Sequence, residues 1–571
     1  MIEYLVFSLL AVVSVNSVAS QCPTWFKETD NGSCECGPEL GDVIRCDKGS
    51  EQVSISLGYC MTHDDSSGEL SIGYTNYDYM DGQGRAYITL PGNVTELNDM
   101  LCTKNGRKGF LCGECMDKFG VPINSLHMKC VECSEFYAVG MYLLLVIIPI
   151  TVFFALVVMF RLNFTSGPFL GYIIFCQLMI SFVRKRQSLY QSVLEEMDVF
   201  GQTMANIFLS LSGIWWYSVS VFWWIPPVCL SKRMNYIQMV SLDYVFVLYP
   251  LFLLTVTYMC IELHARNFRP VVYLWQPFHK CFVKVRRNWS ASDSIIHAYA
   301  TFFFLSFSSL ATVSFDLLWA TDVYNINGTI TRRVVVLDPT MEQYSPQHLQ
   351  YAVPAITLLL FLGFCPTLFL CLFSNRIFAK CFRFGPRTQL FLCTFTDAFQ
   401  SCYKDGLNGT YDFRFFSSFP MFLYIFVVLI AGFVEAPQRD FWIVCGIIFF
   451  TFSCGVAYVK PFKSAYMNFS LSFHLILIGV IADMLCLWFK ERAFSSHSLA
   501  IILTFLISVP HLFAFFTLIW YILKQIRLTR TAIQLAIERI STVFHCTREE
   551  MTSSLPDRLE NSYAYRSLSN I

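Results

Sequence analysis

The sequence predicts an all-α polytopic membrane bundle, with about nine spans plus one re-entrant or interfacial segment, that carries a small disulfide-rich, partly β ectodomain. Three observations lead to this fold class. The 571 residues are 55% hydrophobic and only 14% charged, which is the composition of a membrane protein. Apolar runs of membrane-crossing length recur from residue 137 onward. Ten cysteines lie within residues 21–136, ahead of these runs.

Residues 1–20 are predicted to be a signal peptide. An apolar core over residues 5–15 precedes the small residues Val18 and Ser20. A short anchor helix is the alternative, because Glu3 stands where a basic residue is usual. The core is shorter than the roughly 20 residues that a membrane span needs. We therefore expect cleavage and secretion of the segment that follows.

Residues 21–136 are predicted to form a Cys-rich extracellular domain, more β than helical. An even set of cysteines behind a signal peptide indicates a disulfide framework, whose pairing the sequence leaves open. A zinc ribbon is the alternative, because the set ends in two Cys-x-x-Cys motifs, but an oxidising compartment favours disulfides. The ten residues are Cys22, Cys34, Cys36, Cys46, Cys60, Cys102, Cys112, Cys115, Cys130 and Cys133.

Residues 137–523 are predicted to be the multi-span membrane domain. Ten apolar runs are candidates, and one of them, Phe169–Val183, is short for a crossing. The runs are Tyr137–Phe160, Phe169–Val183, Met204–Trp224, Ile237–Glu262, Ile295–Leu318, Tyr351–Phe373, Phe415–Val434, Phe441–Val459, Phe469–Leu487 and Leu499–Leu523.

Basic clusters set the predicted topology. Residues 264–287 and 376–387 are rich in Lys and Arg and should be cytoplasmic. With the N-terminus outside, an odd number of crossings must precede residue 264, so one of four runs does not cross. The short run is flanked by basic residues on both sides, and we expect it to be re-entrant or to lie in the interface. Ten full spans with the tail outside is the alternative.

This topology places the protein in the plasma membrane through the secretory pathway, with the N-terminus extracellular and the C-terminus cytoplasmic. Asn31, Asn93 and Asn327 stand in extracellular sequons and are expected to be glycosylated. Residues 524–550 are predicted to be a cytoplasmic amphipathic helix, and the Ser-rich residues 551–571 a disordered tail.

Ionisable side chains inside spans are costly and are therefore functional candidates. Asp243 and Asp316 could face a shared cavity for cations or protons, whereas His474 and Asp483 are nine residues apart and lie on opposite helix faces. The alternative is that each residue caps or hydrogen-bonds a neighbouring helix. The candidates are Asp243, Asp316, His474, Asp483 and His511.

The stretch from Asp397 to Phe416 is the longest polar insert between apolar runs in the second half. We expect an ordered cytoplasmic loop that turns and charge pairs hold in place and that couples to cytosolic partners. A calcium loop is the weaker alternative, because the spacing departs from that of an EF-hand. The charged residues are Asp397, Lys404, Asp405, Asp412 and Arg414.

Five sequence motifs occur as a set: LCGEC…CVEC, FTSGPFLGYIIFCQ, ELHARNFRPVVYLWQPF, SFDLLW and DAFQSCYKDGLNGTYDFRFF. As a set they resemble a group of uncharacterised invertebrate multi-pass membrane proteins with a Cys-Gly-x-Cys module beside the membrane. The architecture has a looser likeness to transient-receptor-potential-like membrane proteins, which implies ion conduction. Neither resemblance implies catalytic residues.

The sequence predicts a channel-like cell-surface protein, with cation conduction and a disulfide-rich ectodomain that senses or assembles. The alternative is an orphan receptor that signals through its cytoplasmic loops. No catalytic motif, metal site or cofactor motif is present in the sequence, so an enzyme is not expected. Balanced charge, with 41 basic and 41 acidic residues, gives no reason to expect nucleic acid. The expected partners are the lipid bilayer, an unidentified extracellular ligand or protein, and further copies of the chain.

Overall fold

The computed structural model describes residues 26–28, 34–36, 44–46, 52–56, 59–64, 69–74, 85–89, 107–108, 110–117, 119–121, 130–132, 140, 142–185, 202–205, 207–208, 211–212, 229–231, 234–273, 275–276, 291–325, 330–373, 386–406, 411–433, 438–491, 498 and 501–523. The chain divides into two compact units, residues 1–510 and 511–571. In the second unit the described residues, 511–523, are helical.

The described chain is mostly helical. A π-helical turn, Leu143–Ile147, leads into the first helix, another, Leu359–Phe364, joins the sixth to the seventh, and a 3-10 turn, Arg414–Ser418, precedes the ninth. The helices are α1 Ile148–Phe160, α2 Leu170–Lys185, α3 Tyr236–Leu242, α4 Tyr244–Ala265, α5 Ala291–Leu318, α6 Pro346–Leu358, α7 Cys365–Phe373, α8 Pro386–Gln400, α9 Phe419–Phe433, α10 Gln438–Val459, α11 Ala465–Glu491 and α12 Ile501–Leu523.

Within the described residues, six helical segments are long and apolar enough to cross a membrane. They coincide with six of the predicted runs, and three shorter apolar helices coincide with three more. Most of the remaining run, Met204–Trp224, lies outside the described residues. The membrane-type helical fold is therefore confirmed, and the count of nine spans stays a prediction. The six are Tyr236–Ala265, Ser294–Leu318, Pro346–Phe373, Trp442–Val459, Ala465–Leu485 and Ile501–Leu523.

Helix α5 is the centre of the bundle. It packs against α1, α2, α3, α4, α6, α8 and α9. Its side chains from 294 to 318 are buried almost without interruption, whereas α4, α6 and α10 each expose large apolar side chains along one side. A helix that is buried all round lies in the interior of a bundle, and helices with an exposed apolar side face lipid.

Helix α2 corresponds to the short predicted run. Its side chains from Leu170 to Ser181 are all buried, and it packs against α5, α9 and α11. An interfacial helix usually presents a polar face to water, which the buried side chains of α2 do not favour. The re-entrant form stays a prediction. A 16-residue helix is about 24 Å long, which is short of a hydrocarbon core of about 30 Å.

Helices α10 and α11 form a long antiparallel hairpin. At its middle the hydroxyls of Ser453 and Ser472 lie 2.7 Å apart, and each donates to the other's backbone carbonyl, at 2.9 and 3.0 Å. The ring of Phe450 packs directly over Gly479, where a Cβ would approach it to 3.2 Å. Reciprocal hydroxyl bonds and small residues let two membrane helices approach closely.

Strands account for most of the described residues between 26 and 132, and three more strands lie between 320 and 342. Five of them form one antiparallel sheet in the order β14-β13-β12-β6-β5, and three others form a sheet in the order β3-β4-β7. The strands are β1 Phe26–Glu28, β2 Cys34–Cys36, β3 Ile44–Cys46, β4 Gln52–Ser56, β5 Tyr59–Asp64, β6 Glu69–Tyr74, β7 Arg85–Thr89, β8 Arg107–Lys108, β9 Glu114–Cys115, β10 Phe119–Gly120, β11 Val131–Glu132, β12 Ala320–Asn325, β13 Ile330–Val335 and β14 Asp338–Glu342.

The five-stranded sheet joins two distant parts of the chain. Strand β12, which follows α5, pairs with β6 of the N-terminal segment, in the register Val323↔Gly73 and Asn325↔Ser71. Leu111, Val323 and Val334 form its small apolar core. The predicted β character of the N-terminal segment is thus seen, but the segment after α5, which the sequence indicated to be a plain loop, supplies three of the five strands.

One predicted disulfide is described. Cys115 and Cys130 are bonded, with 5.6 Å between their Cα atoms, and they link the two Cys-x-x-Cys motifs. Sulfur atoms joined in a disulfide cannot bind zinc as thiolates, so the zinc alternative is wrong for Cys115 and Cys130. Cys229, which the even count of ten omitted, is also disulfide-bonded. The other eight predicted cysteine side chains lie outside the described part, as do Asn31, Asn93, Asn327 and residues 1–20 and 524–571.

Candidate functional site

Six polar residues share one face of the central helix α5, interrupted by Ala298 and Leu305. Because an α-helix turns by about 100° and rises by about 1.5 Å per residue, these side chains fall within an arc of about 100° around the helix. From the first to the last they span about 33 Å along its axis. Every one is buried, the carboxylate at the outer end included. The residues are Ser294, Thr301, Ser308, Ser309, Thr312 and Asp316.

Three hydroxyls in the middle of this face have unused hydrogen-bonding capacity. Ser308, Ser309 and Thr312 are fully buried, and their hydroxyls make no hydrogen bond to any part of the chain that the structure describes. Ser306, on another side of the helix, bonds to the carbonyl of Phe302 at 2.6 Å in the usual way. An unpaired buried hydroxyl costs about 1–3 kcal/mol, so three adjacent ones mark a place that is suited to binding a polar species.

Helix α2 covers the inner half of the polar face. The Gln177 side-chain amide donates to the carbonyl of Leu305 at 3.2 Å. One turn nearer the inner end, the Thr301 hydroxyl donates to the carbonyl of Leu162 at 3.0 Å. A buried amide bonded to a helix carbonyl inside a membrane domain fixes the rotation of both helices. The position of α2 therefore decides whether this part of the face is open or covered.

The segment that leads into α2 explains the motif FTSGPFLGYIIFCQ. Asn163 and Thr165 both donate to the carbonyl of Ala398, at 3.1 and 2.7 Å, which ties this turn to the end of α8. Gly167 has a φ of 129°, which favours glycine. At Gly171 a Cβ would lie 3.1 Å from the backbone of Leu471, so this residue lets α2 approach α11.

Asp316 and Asp243, the two predicted intramembrane carboxylates nearest the outer end, have different surroundings. Asp316 is buried on α5, two residues after Ser314, whose hydroxyl lies 2.9 Å from that of Tyr244. Asp243 lies at the junction of α3 and α4, where its backbone ends one helix and begins the other. The Asp243 side chain makes no cap hydrogen bond to α4, so the helix-capping alternative stays a prediction, and Asp316 lies on the polar face. The shared cavity stays a prediction.

His474 and Asp483 point to different neighbours, as predicted. The His474 ring lies against Tyr172 and Phe175 of α2, and its Nδ1 is 2.6 Å from the carbonyl of Ser470. Asp483 instead faces α10, where its carboxylate occupies the notch left by Gly446. His511 is buried in the second unit. His474 and Asp483 do not join the polar face of α5.

The predicted inner loop is ordered and pairs with the α10–α11 turn. Tyr403 and Phe462 form an antiparallel bridge, and their rings stack at 4.6 Å. The backbone of Lys404 donates to Pro461 at 3.0 Å, and that of Lys463 donates to Cys402 at 2.9 Å. We call residues 401–405 and 460–468 the inner clamp.

Charge pairs complete the inner loop. Asp405 accepts from Lys463 at 3.1 Å, and Asp412 accepts from Arg414 at 2.7 Å. The Asp412 hydrogen bond raises the pKa of the Arg414 guanidinium. Two charge pairs are thus present in the described part of this loop, and both carboxylates that the calcium alternative needs have basic partners. Asp397 lies exposed near the end of α8.

Sequence reasoning missed the polar face because it considered only ionisable residues within spans. A count of hydroxyls at helical spacing in α5 would have found it. It also missed His348, which is fully buried and bonded to the end of α5. No single-residue signal marks His348, because its role depends on a contact across 31 residues of sequence.

Comparison of the chain with protein-family models, curated proteins and solved structures finds no match. The resemblance to invertebrate multi-pass proteins therefore stays a prediction, and the geometry carries the functional argument.

Proposed function

We propose that the protein is a channel-like membrane protein that conducts cations along the polar face of α5. The observation that carries this proposal is the set of three fully buried hydroxyls, Ser308, Ser309 and Thr312, on a face that ends in the carboxylate of Asp316. Oxygen atoms replace the hydration shell of a cation in selective pores. A carboxylate at the entrance attracts cations and repels anions.

The two ends of the bundle support the predicted orientation. One end gathers the disulfide-bonded Cys229, the five-stranded sheet and Asn235, which donates to Asp338 at 2.9 Å. Disulfides form in oxidising compartments, so this end suits the extracellular side. The other end gathers the inner clamp with Lys460 and Lys463. Basic residues at helix ends favour the cytoplasm.

Conduction needs a conformational change, because the hydroxyls of the polar face are buried in the described conformation. Helix α2 is the element that must move, since Gln177 bonds directly to α5. Gly167 and Pro168 at the entry of α2 provide a turn at which such a movement could occur. The described conformation is thus the closed state of the proposed pathway.

The test is to reconstitute the full-length protein in planar bilayers and record current under a potassium chloride gradient. Thr312→Val keeps the shape of the side chain and removes the hydroxyl, and we expect unitary conductance to fall by about threefold or more. Thr357→Val is the matched control, because Thr357 lies exposed on α6 and bonds only to its own helix, at 2.8 Å. Equal conductance in both variants would reject the pathway.

Asp316→Asn tests the charge at the outer end. We expect the ratio of potassium to chloride permeability to fall by about threefold or more, because the fixed negative charge is lost. Asp483→Asn is the control, since Asp483 faces Gly446 on α10 rather than the polar face. A wild-type protein that is folded, correctly oriented and without current would contradict conduction itself.

A receptor is the second candidate, and one observation favours it. The extracellular sheet shares an apolar core with the outer ends of the helices, and side-chain bonds from Asn235 to Asp338 and from His348 to the carbonyl of Leu317 add to this contact. A ligand that shifts the sheet would therefore shift the end of α5. Absence of current, combined with a second-messenger change when the ectodomain is cross-linked by antibody in cells, would favour the receptor.

A further inference from the structure

His348 lies between the extracellular sheet and the central helix. It stands in the first turn of α6, where its backbone donates to the hydroxyl of Ser345 at 3.3 Å. Its side chain is fully buried. One side of the ring contacts the outer end of α5, and the other side contacts the turn that follows β14. The imidazole is thus a direct link between the two parts of the molecule.

Two hydrogen bonds fix the protonation state of this imidazole. The Tyr344 backbone N–H donates to Nδ1 at 3.0 Å, so Nδ1 must carry a free lone pair. Nε2 lies 2.9 Å from the carbonyl of Leu317, which can only accept, so Nε2 must carry the proton. Only the neutral imidazole with hydrogen on Nε2 satisfies both bonds.

The residue held by Nδ1 has a strained backbone. Tyr344 has a φ of 61°, a left-handed conformation that an aromatic residue rarely adopts. Its ring lies 6.0 Å from the His348 ring, and its side chain is largely exposed. The bond from its N–H to Nδ1 is one of the contacts that hold this conformation, so loss of the bond would release the strain.

We propose that His348 is an extracellular proton-binding site that controls how the sheet is attached to the central helix. A proton from water forms an N–H bond with the Nδ1 lone pair, and the imidazole becomes positively charged. Nδ1 then faces the Tyr344 N–H as a second donor, so that hydrogen bond is lost and the turn over residues 342–345 opens. Nε2 keeps its hydrogen and its bond to α5. Acidification therefore loosens the sheet from the bundle.

Other charged groups lie on the elements that neighbour His348. On α5, the buried Asp316 immediately precedes Leu317. On β14, Asp338 already accepts from Asn235 and Thr340, and Glu342 is exposed. On β13, Arg333 pairs with Asp322 at 3.3 Å.

Hydrogen–deuterium exchange of the full-length protein in lipid nanodiscs tests the site without requiring any current. We expect the protection of amides 342–349 to fall by about tenfold between pH 8 and pH 5, after correction for intrinsic exchange. His348→Gln places an amide nitrogen and oxygen near the two ring nitrogens but does not titrate. In this variant we expect protection to change by less than about twofold.

His264→Gln is the matched control, because His264 lies at the inner end of α4 and should leave the pH response unchanged. Equal pH dependence in wild type and His348→Gln would overturn the proposal. If His348→Gln does not fold, the wild-type measurement alone tests the proposal. Acid-induced exchange that leaves residues 342–349 protected would also overturn the proposal. The channel recordings test a different claim. A protein that conducts no current but shows this exchange pattern would contradict the proposed conduction and support the proton site.

Discussion

The two ends of the helical bundle are held by different kinds of bond. At the inner end, the inner clamp joins two helix connections through backbone hydrogen bonds and the buried ring stack of Tyr403 on Phe462. At the outer end, a shared apolar core joins the sheet to the helices, and the side chains of Asn235 and His348, the latter the proposed proton site, add hydrogen bonds. Backbone bonds and ring stacks are insensitive to pH. The comparison indicates a fixed inner end and an outer end that can respond to its surroundings.

The largest effect is expected from Phe462→Ala. Phe462 is buried, and removal of its ring leaves a cavity against Tyr403, so we expect the free energy of unfolding to fall by about 3–5 kcal/mol. Thermal unfolding in detergent measures the loss. Phe469→Ala, on the exposed side of α11, is the control and should cost much less. Equal losses would mean that the inner clamp is not a rigid core.

A loss of stability of intermediate size is expected when one asparagine at either end of the bundle is replaced by alanine. Asn468 makes three bonds to the inner clamp, with Phe462 and Ser464, at 3.0 to 3.1 Å. Asn468→Ala leaves buried backbone groups of Phe462 unpaired, and we expect a loss of about 2–3 kcal/mol.

Asn235→Ala, at the outer end, removes a helix cap and the bond to Asp338, and we expect a loss of about 1–2 kcal/mol. Both losses can be measured by the same unfolding experiment. A larger loss for Asn235→Ala than for Asn468→Ala would reverse the comparison between the ends.

The smallest effect is expected from Lys463→Ala. Its side chain and that of Asp405 are 51% and 32% exposed, so water and salt screen their pair. We expect a loss of no more than about 1 kcal/mol that shrinks further at high salt. The backbone bond from residue 463 to Cys402 survives the substitution. A loss as large as that of Asn468→Ala would show that charge, rather than backbone pairing, holds the inner clamp.

The positions of the helices were largely predictable, because apolar length and charge asymmetry are local properties. The runs that became α4, α5 and α12 agree with the structure to within a few residues. The turn dipeptides of Asp397–Phe416 likewise predicted an ordered loop. Its partner, the turn before Asn468, was not predictable, because the pairing joins segments about 60 residues apart through backbone atoms, whose chemistry is the same at every residue.

The sheet shows where sequence reasoning fails. Asn327-Gly328, between the later β12 and β13, is a strong hairpin signal, but it was interpreted only as part of a glycosylation sequon. The pairing of β12 with β6 has no such signal, because strand partners are chosen by tertiary packing. The same holds for His348, whose importance comes from the strained Tyr344 beside it. Long-range contacts therefore defined the parts of the molecule that the sequence left open.

The shared sheet also imposes an order on biosynthesis. Strand β6 ends at Tyr74 and its partner β12 begins at Ala320, so about 246 residues (320 − 74) separate them. At about 5–20 residues per second, β6 waits roughly 12–50 s with an open edge while the helices up to α5 are synthesised and inserted. An exposed strand edge invites pairing with other chains. The five-stranded sheet can therefore be completed only after the chain through β12 has been synthesised.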